Sequence, residues 1–260
     1  MNLQFFLSFI SFFLLFTFCG IPYIFLINQF LGNKKYQRYL IVLAPNFGLV
    51  AVVWLASLFT KLGIDPTYCL VVLLLISIAT SLLIFKRKNM FDKSFFLKNI
   101  FWYLVAIILL SFLVNSLDIF YIGWKDYFPM TNGDTFSYLG HIEQVVRGAN
   151  ERQSIIYPSG LKPVYQHAIS LRTGVVSCVA AMNSWFKMDT YQLFFLLIRM
   201  VFPLSLLNFV FIFLNSKLKK IEILFSITII IVSNFATYAV FQQFFSSSVG
   251  VIFFWLYFSC

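Results

Sequence analysis

Long apolar runs alternate along this chain with short polar segments, most of them basic. Several of the runs last about twenty residues, the length that crosses a bilayer as an α-helix. A transmembrane β-barrel would show shorter segments of alternating hydrophobicity. The pattern therefore predicts an all-α fold, a polytopic transmembrane helical bundle. The predicted spans, six complete and the last one partial, are Leu3–Phe30, Tyr39–Phe59, Tyr68–Phe85, Ile100–Leu117, Tyr191–Leu214, Ile221–Val240 and Val249–Cys260.

The composition supports a membrane protein. The chain is 61% hydrophobic and 11% charged, whereas a soluble domain is nearer half apolar and a quarter charged. The formal net charge is +10, but many of the basic residues cluster beside apolar runs. In that position they act as topology signals and meet anionic lipid headgroups. We therefore predict membrane lipids as partners and no binding of nucleic acid.

Three basic clusters predict the orientation of the spans. They lie at 34–38, 86–98 and 217–220, and the positive-inside rule places all three on the cytoplasmic side. The N-terminus then lies outside. We predict an integral protein of the bacterial cytoplasmic (inner) membrane.

This orientation divides the chain into three parts. Residues 1–117 hold four spans, residues 118–190 form a large extracytoplasmic loop, and residues 191–260 hold two complete spans and one partial span. His167–Trp185 is apolar enough to suggest a further span, but a crossing there would move the last basic cluster outside. We expect this stretch to lie at the outer surface or to pack against the bundle. Because the last run ends without a polar flank, we expect the sequence to continue in a longer protein.

The predicted loop gathers most of the acid–base groups of the chain. Six of the nine acidic residues and both histidines fall within it, which makes it the place where we expect chemistry. These residues are Asp118, Asp126, Asp134, Glu143, Glu151, Asp189, His141 and His167.

The segment MTNGDTFSYLGHIEQVV, residues 130–146, concentrates polar groups after a turn. Its apolar residues recur with helical period, which predicts an amphipathic helix, the first of two in the loop. Asp134, Tyr138 and His141 are spaced i, i+4 and i+7 and share the other face. Two simpler interpretations stay open: Asp134 is a helix N-cap, or this face is the wet side of an interfacial helix and His141 is a surface histidine. The segment has no HxxxH or DxD pattern and gives no metal ligands.

Basic residues of the loop are candidate partners for an anion. Arginine and lysine suit phosphate oxygens, and each of these residues has the alternative role of a solvated charge or a headgroup anchor. The candidates are Arg147, Arg152, Lys162 and Arg172.

These residues resemble the GT-C class of membrane glycosyltransferases. The likeness lies in an acid in "GD" that opens a helix, a histidine two turns later, and the "YP…G…P…Y.H" segment that leads into a "TG" helix and a span. It covers roughly residues 118–199. The sequence departs from that pattern because four spans precede the loop, and because Thr135 and Phe136 follow the acid in place of a second carboxylate.

The resemblance implies transfer of a sugar from a polyprenyl-phosphate donor to an envelope glycan, lipid or protein on the outer face. Asp134 would be the catalytic base that deprotonates the acceptor hydroxyl, and a cation would stabilise the departing phosphate. His141 would orient Asp134 or bind phosphate. Whether a divalent metal is a cofactor stays open. The substrate-binding candidates are Tyr138, Arg147, Arg152, Lys162, His167 and Arg172.

Other classes fit parts of the pattern. An O-antigen polymerase or ligase would depend on the arginines of the loop. A transporter or flippase of envelope lipids would place ionisable groups inside its spans, where Arg199 is the main example. A structural membrane protein without catalysis is the fourth possibility.

Overall fold

The computed structural model describes residues 3–30, 40–86, 99–123, 139–143, 145–146, 162–215 and 222. All regular secondary structure in these ranges is helical, which confirms the predicted all-α class. The α-helices are α1 (Leu3–Phe30), α2 (Ala44–Lys61), α3 (Tyr68–Lys86), α4 (Asn99–Val114), α5 (Leu117–Ile122), α6 (Lys162–Phe186) and α7 (Thr190–Asn215). A 3₁₀ turn at Leu40–Leu43 leads into α2, and residues 139–143, 145 and 146 are also helical.

Three of the described helices are long and apolar enough to cross a membrane, which indicates a membrane protein. They are Leu3–Gln29, Leu40–Lys61 and Thr190–Ile212, and they match the first, second and fifth predicted spans. The third and fourth predictions correspond to the shorter apolar helices Tyr68–Ile84 and Leu104–Val114. The predicted spans at Ile221–Val240 and Val249–Cys260 lie outside the described residues, Glu222 excepted.

Helix α1 packs antiparallel against α2 at two glycines. Gly20 lies against the backbone of Ala44, and Gly48 lies against that of Phe16. A side chain at either position would collide with a carbonyl oxygen, so the glycines allow the two backbones to approach closely, as small residues do between membrane helices. Helix α1 continues through Pro22, a residue that membrane helices tolerate because neighbouring groups satisfy the freed backbone carbonyl.

A row of phenylalanines joins α1 to the rest of the bundle. Phe5, Phe9, Phe12 and Phe16 recur at helical spacing and are at most 2% exposed. The rings of Phe5 and Phe9 stack on Phe112 of α4, with centroids 5.1 and 3.7 Å apart. These rings fix α1 against the end of α4, next to the polar junction described below.

The second half of helix α6, from residue 174 onward, packs inside the bundle. Gly174 faces Val53 in the middle of α2, and the hydroxyl of Thr60 donates to that of Ser177 over 2.7 Å. Residues 175–182 are all buried. Of the two positions that the sequence left open for this stretch, the described residues take the one packed against the bundle.

Candidate functional site

An ion pair between a buried arginine and a part-buried aspartate joins α7 to the short helix α5. The guanidinium of Arg199 lies 2.6 Å from the Oδ2 of Asp118, and the two side chains are 1% and 18% exposed. Arg199 lies in the first half of the candidate span Thr190–Ile212. A charge at that depth is costly, and such residues are usually paired and often functional.

The same arginine also binds the backbone at the C-terminal end of α4. Its Nη1 donates to the carbonyl oxygen of Asn115, just beyond the last residue of α4. The Asn115 side chain donates in turn to the Ser111 carbonyl oxygen over 2.8 Å. The last carbonyl groups of a helix lack partners within the helix, and a cation there also meets the negative end of the helix dipole. Arg199 therefore holds the two-residue break between α4 and α5 against α7.

The local sequence explains why the chain breaks here. Asn115 and Ser116 interrupt the apolar run of α4, and Ser116 has φ −122° and ψ 11°, outside the helical region. Helix α5 then starts at Leu117, and the N–H of Ile119 donates to the Asp118 carboxylate over 2.9 Å. This bond holds the carboxylate on its own helix while Oδ2 meets Arg199.

Asp118 and Arg199 each stood out in the sequence, but their pairing was not predicted. The usable signal was that the candidate spans hold one internal charged residue, Arg199, which needs a partner of opposite sign. Asp118 follows the end of a predicted span at the "NSLD" interruption. Asn115, whose carbonyl oxygen accepts from Arg199, and the nearby Ser111 and Ser116 were not among the predicted site residues.

His141 is in the protein interior. Its side chain is 2% exposed, and the neighbouring Ile142 is fully buried in the hydrophobic core. Leu139, Val145 and Val146 pack partly buried against that core, as their place on the predicted apolar stripe requires. The alternative of a surface histidine on a wet helix face is therefore wrong for His141, because the bundle covers this side of the helix as well.

The other predicted site residues are described in part or not at all. Asp134, Tyr138, Arg147 and Arg152 lie outside the described residues. The backbone of three more lies in the first half of α6, while their side chains fall outside the described part of the structure; these are Lys162, His167 and Arg172. The structure thus shows one of the eight predicted side chains, that of His141.

Another acid of the predicted loop has a visible structural role. Asp189 precedes α7, and its Oδ1 accepts from the N–H groups of Tyr191 and Gln192 over 2.9 and 3.3 Å. This is the N-cap arrangement that satisfies the free N–H groups of a first helical turn. Among the described residues, no three His, Cys, Asp or Glu side chains gather as metal ligands would.

The fold and the site together define the class of this protein: an α-helical membrane bundle with a buried histidine and a buried arginine that is paired with a part-buried aspartate. No protein-family model matches the chain, and no curated protein or solved structure shows significant similarity to it.

Proposed function

We propose that the chain belongs to a membrane glycosyltransferase that uses a polyprenyl-phosphate-linked sugar and acts on an envelope glycan, lipid or protein. In this proposal the protein lies in the bacterial inner membrane, and residues 118–190 face outward. Asp134 is the base that deprotonates the acceptor hydroxyl. His141, seven residues later on the same helical face, orients that carboxylate or binds the donor phosphate.

The burial of His141 is the observation that carries this proposal. An imidazole loses hydration when it is buried, so a position 2% exposed is unfavourable unless the ring contributes to structure or chemistry. Histidine is also the side chain whose ordinary pKa lies closest to neutral pH, which suits proton transfer. The polar segment of residues 130–146 therefore has a titratable group inside the bundle, as a catalytic helix requires.

The Arg199–Asp118 pair favours a second candidate, a transporter or flippase of envelope lipids. Such proteins place paired ionisable groups within their spans. This function would require Arg199 to matter more than Asp134, and the same genetic experiment separates the two candidates.

The test is rescue of a strain that lacks the gene, with the full-length protein at matched membrane levels. We expect wild type to restore a surface glycan and Asp134→Asn to fail, because loss of a general base reduces rate by about 10²–10⁴-fold. His141→Asn should also fail. Asp189→Asn is the matched control, since asparagine caps a helix as well as aspartate does, and it should rescue fully.

Surface glycans are compared by gel and mass spectrometry. Equal rescue by wild type and Asp134→Asn would reduce Asp134 to a helix cap and remove the case for catalysis in this segment. Rescue by Asp134→Asn combined with failure of Arg199→Gln would favour transport.

A further inference from the structure

Two buried serines at the α4–α5 break differ in their hydrogen bonding from the buried serine of α3. In α3, Ser77 donates to the carbonyl oxygen four residues earlier, over 2.7 Å. This is how a helix usually satisfies a serine in an apolar setting. Ser111 and Ser116 are equally buried, at 0% exposure, but among the described residues neither Oγ has a hydrogen-bond partner.

The position of Ser116 makes the difference clearer. It stands at the N-cap of α5, where a serine hydroxyl normally accepts from the first turn, yet its side chain makes no such bond. A buried hydroxyl without a partner loses its hydration and gains no hydrogen bond in return, which is unfavourable. Two of them within six residues of the chain indicate that this place binds a group that supplies the missing hydrogen bonds.

The two serines flank the residue that Arg199 holds. Ser111 lies one helical turn before Asn115, Ser116 follows it directly, and the carbonyl oxygen of Asn115 accepts from the guanidinium. Two buried hydroxyl groups therefore lie within four residues of the carbonyl oxygen that the buried Arg199 binds. Hydroxyl and guanidinium donors together suit an acceptor with several oxygens and a negative charge, which a phosphate group provides.

We propose that the α4–α5 break is an oxyanion site, built from Ser111, Ser116 and Arg199, that takes a phosphate ester. Asp118 holds the guanidinium while the site is empty, and the phosphate replaces it. The carboxylate is the more accessible partner, at 18% exposure against 1% for Arg199, so an incoming ligand meets Asp118 first. This inference goes beyond glycosyl transfer, because it requires binding alone and involves neither Asp134 nor His141.

The phosphate could belong to a lipid headgroup or be free in solution, and the probes distinguish these sources. Binding to the purified full-length protein in nanodiscs of uncharged lipid is measured with farnesyl phosphate, with farnesol as the uncharged control, and with inorganic phosphate. We expect farnesyl phosphate to bind and farnesol to bind at least about tenfold more weakly, the value of one hydrogen bond to a charged group. Inorganic phosphate binding alone would assign the site to a soluble anion.

The variants give effects of opposite sign. Ser111→Ala combined with Ser116→Ala should weaken phosphate binding about tenfold or more, and Arg199→Gln should abolish it. Asp118→Asn should strengthen it on the order of tenfold, since a competing charged partner of the guanidinium is lost. Ser77→Ala, which removes a buried hydroxyl that already has a partner, should leave the affinity unchanged.

Three outcomes would overturn the oxyanion site. One is that neither phosphate binds. Another is unchanged affinity in the double serine variant, which would mean that the hydroxyls hold structural water only. The third is weaker binding by folded Asp118→Asn protein, which would make the pair purely structural. None of these results depends on glycan transfer, so failure here leaves the rescue experiment with Asp134 to be judged separately.

Discussion

The contact between α1 and α2 and the junction of α4, α5 and α7 hold helices together by opposite means. At the first contact, Gly20 and Gly48 have no side chains, so the backbones of the two helices can touch. At the junction, the contact is made by Arg199, which has the largest fully buried side chain of the described residues. That side chain also carries a charge. In lipid, apolar surface alone gives little drive for helices to associate, so close packing and polar contacts must supply it. This chain uses close packing between α1 and α2, and polar contacts at the junction of α4, α5 and α7.

The two contacts should differ in the substitutions that they tolerate. A packing contact depends on shape, and any added atom disturbs it. An ion pair depends on charge balance, so removal of one partner is worse than removal of both. The two regions should therefore respond differently to single and double substitutions.

The largest effect is expected at the ion pair. Arg199→Met leaves the part-buried carboxylate of Asp118 without its cation. Removing one partner of a buried pair typically costs about 3–5 kcal/mol, which is the upper limit here. The double variant Asp118→Leu with Arg199→Met should recover most of that loss. The measurement is the free energy of unfolding in mixed micelles titrated with SDS. If the double variant were as unstable as the single one, charge balance would not be what holds this junction.

The second effect is expected at the glycine contact. Gly48→Ala places a methyl group against the carbonyl of Phe16 and must push α1 and α2 apart. We expect a loss of about 3 kcal/mol, the upper end of the range for overpacking. Gly140→Ala is the matched control, since a methyl group there meets no atom of the described residues within 4 Å. A cross-link between α1 and α2 should form more slowly in Gly48→Ala alone; equal rates in both variants would count against close packing.

Much of the fold was predictable from the sequence because its signal is local. The apolar runs at α1, α2 and α7 have the length and composition of spans, and helical period placed Ile142 and its neighbours on an apolar stripe. The glycine contact was not predictable in the same way, since Gly20 and Gly48 pair across two helices and nothing local marks the partner.

The candidate site was predicted less well, for a physical reason. Helical periodicity placed His141 on a polar face, but periodicity describes one helix and says nothing of what covers that face. Its burial is a tertiary fact. The pairing of Asp118 with Arg199 joins residues 81 positions apart, and only the cost of an isolated charge in a span could have suggested it. The unbonded hydroxyls of Ser111 and Ser116 depend on atomic positions and leave no trace in the sequence.

The smallest effect is expected at a third helix contact, between α2 and α7. In chemical character it is intermediate between the apolar glycine contact and the charged pair. Asn46 of α2 donates to Asn208 of α7 over 2.9 Å, and both side chains are fully buried. This contact is polar, as at the ion pair, but uncharged, and its remaining amide atoms, Asn46 Oδ1 and Asn208 Nδ2, have no hydrogen-bond partner among the described residues. In a double-mutant cycle with alanine at both positions, we expect a coupling energy of about 0.6 kcal/mol and at most about 1.7 kcal/mol, the range measured between membrane helices.

That value would place the amide pair below both the glycine contact and the ion pair. A coupling as large as that of Arg199 and Asp118 would mean that buried polarity alone, without charge, fixes α7 in this bundle. A coupling near the expected value would leave charge as the feature that distinguishes the junction of α4, α5 and α7 from this contact.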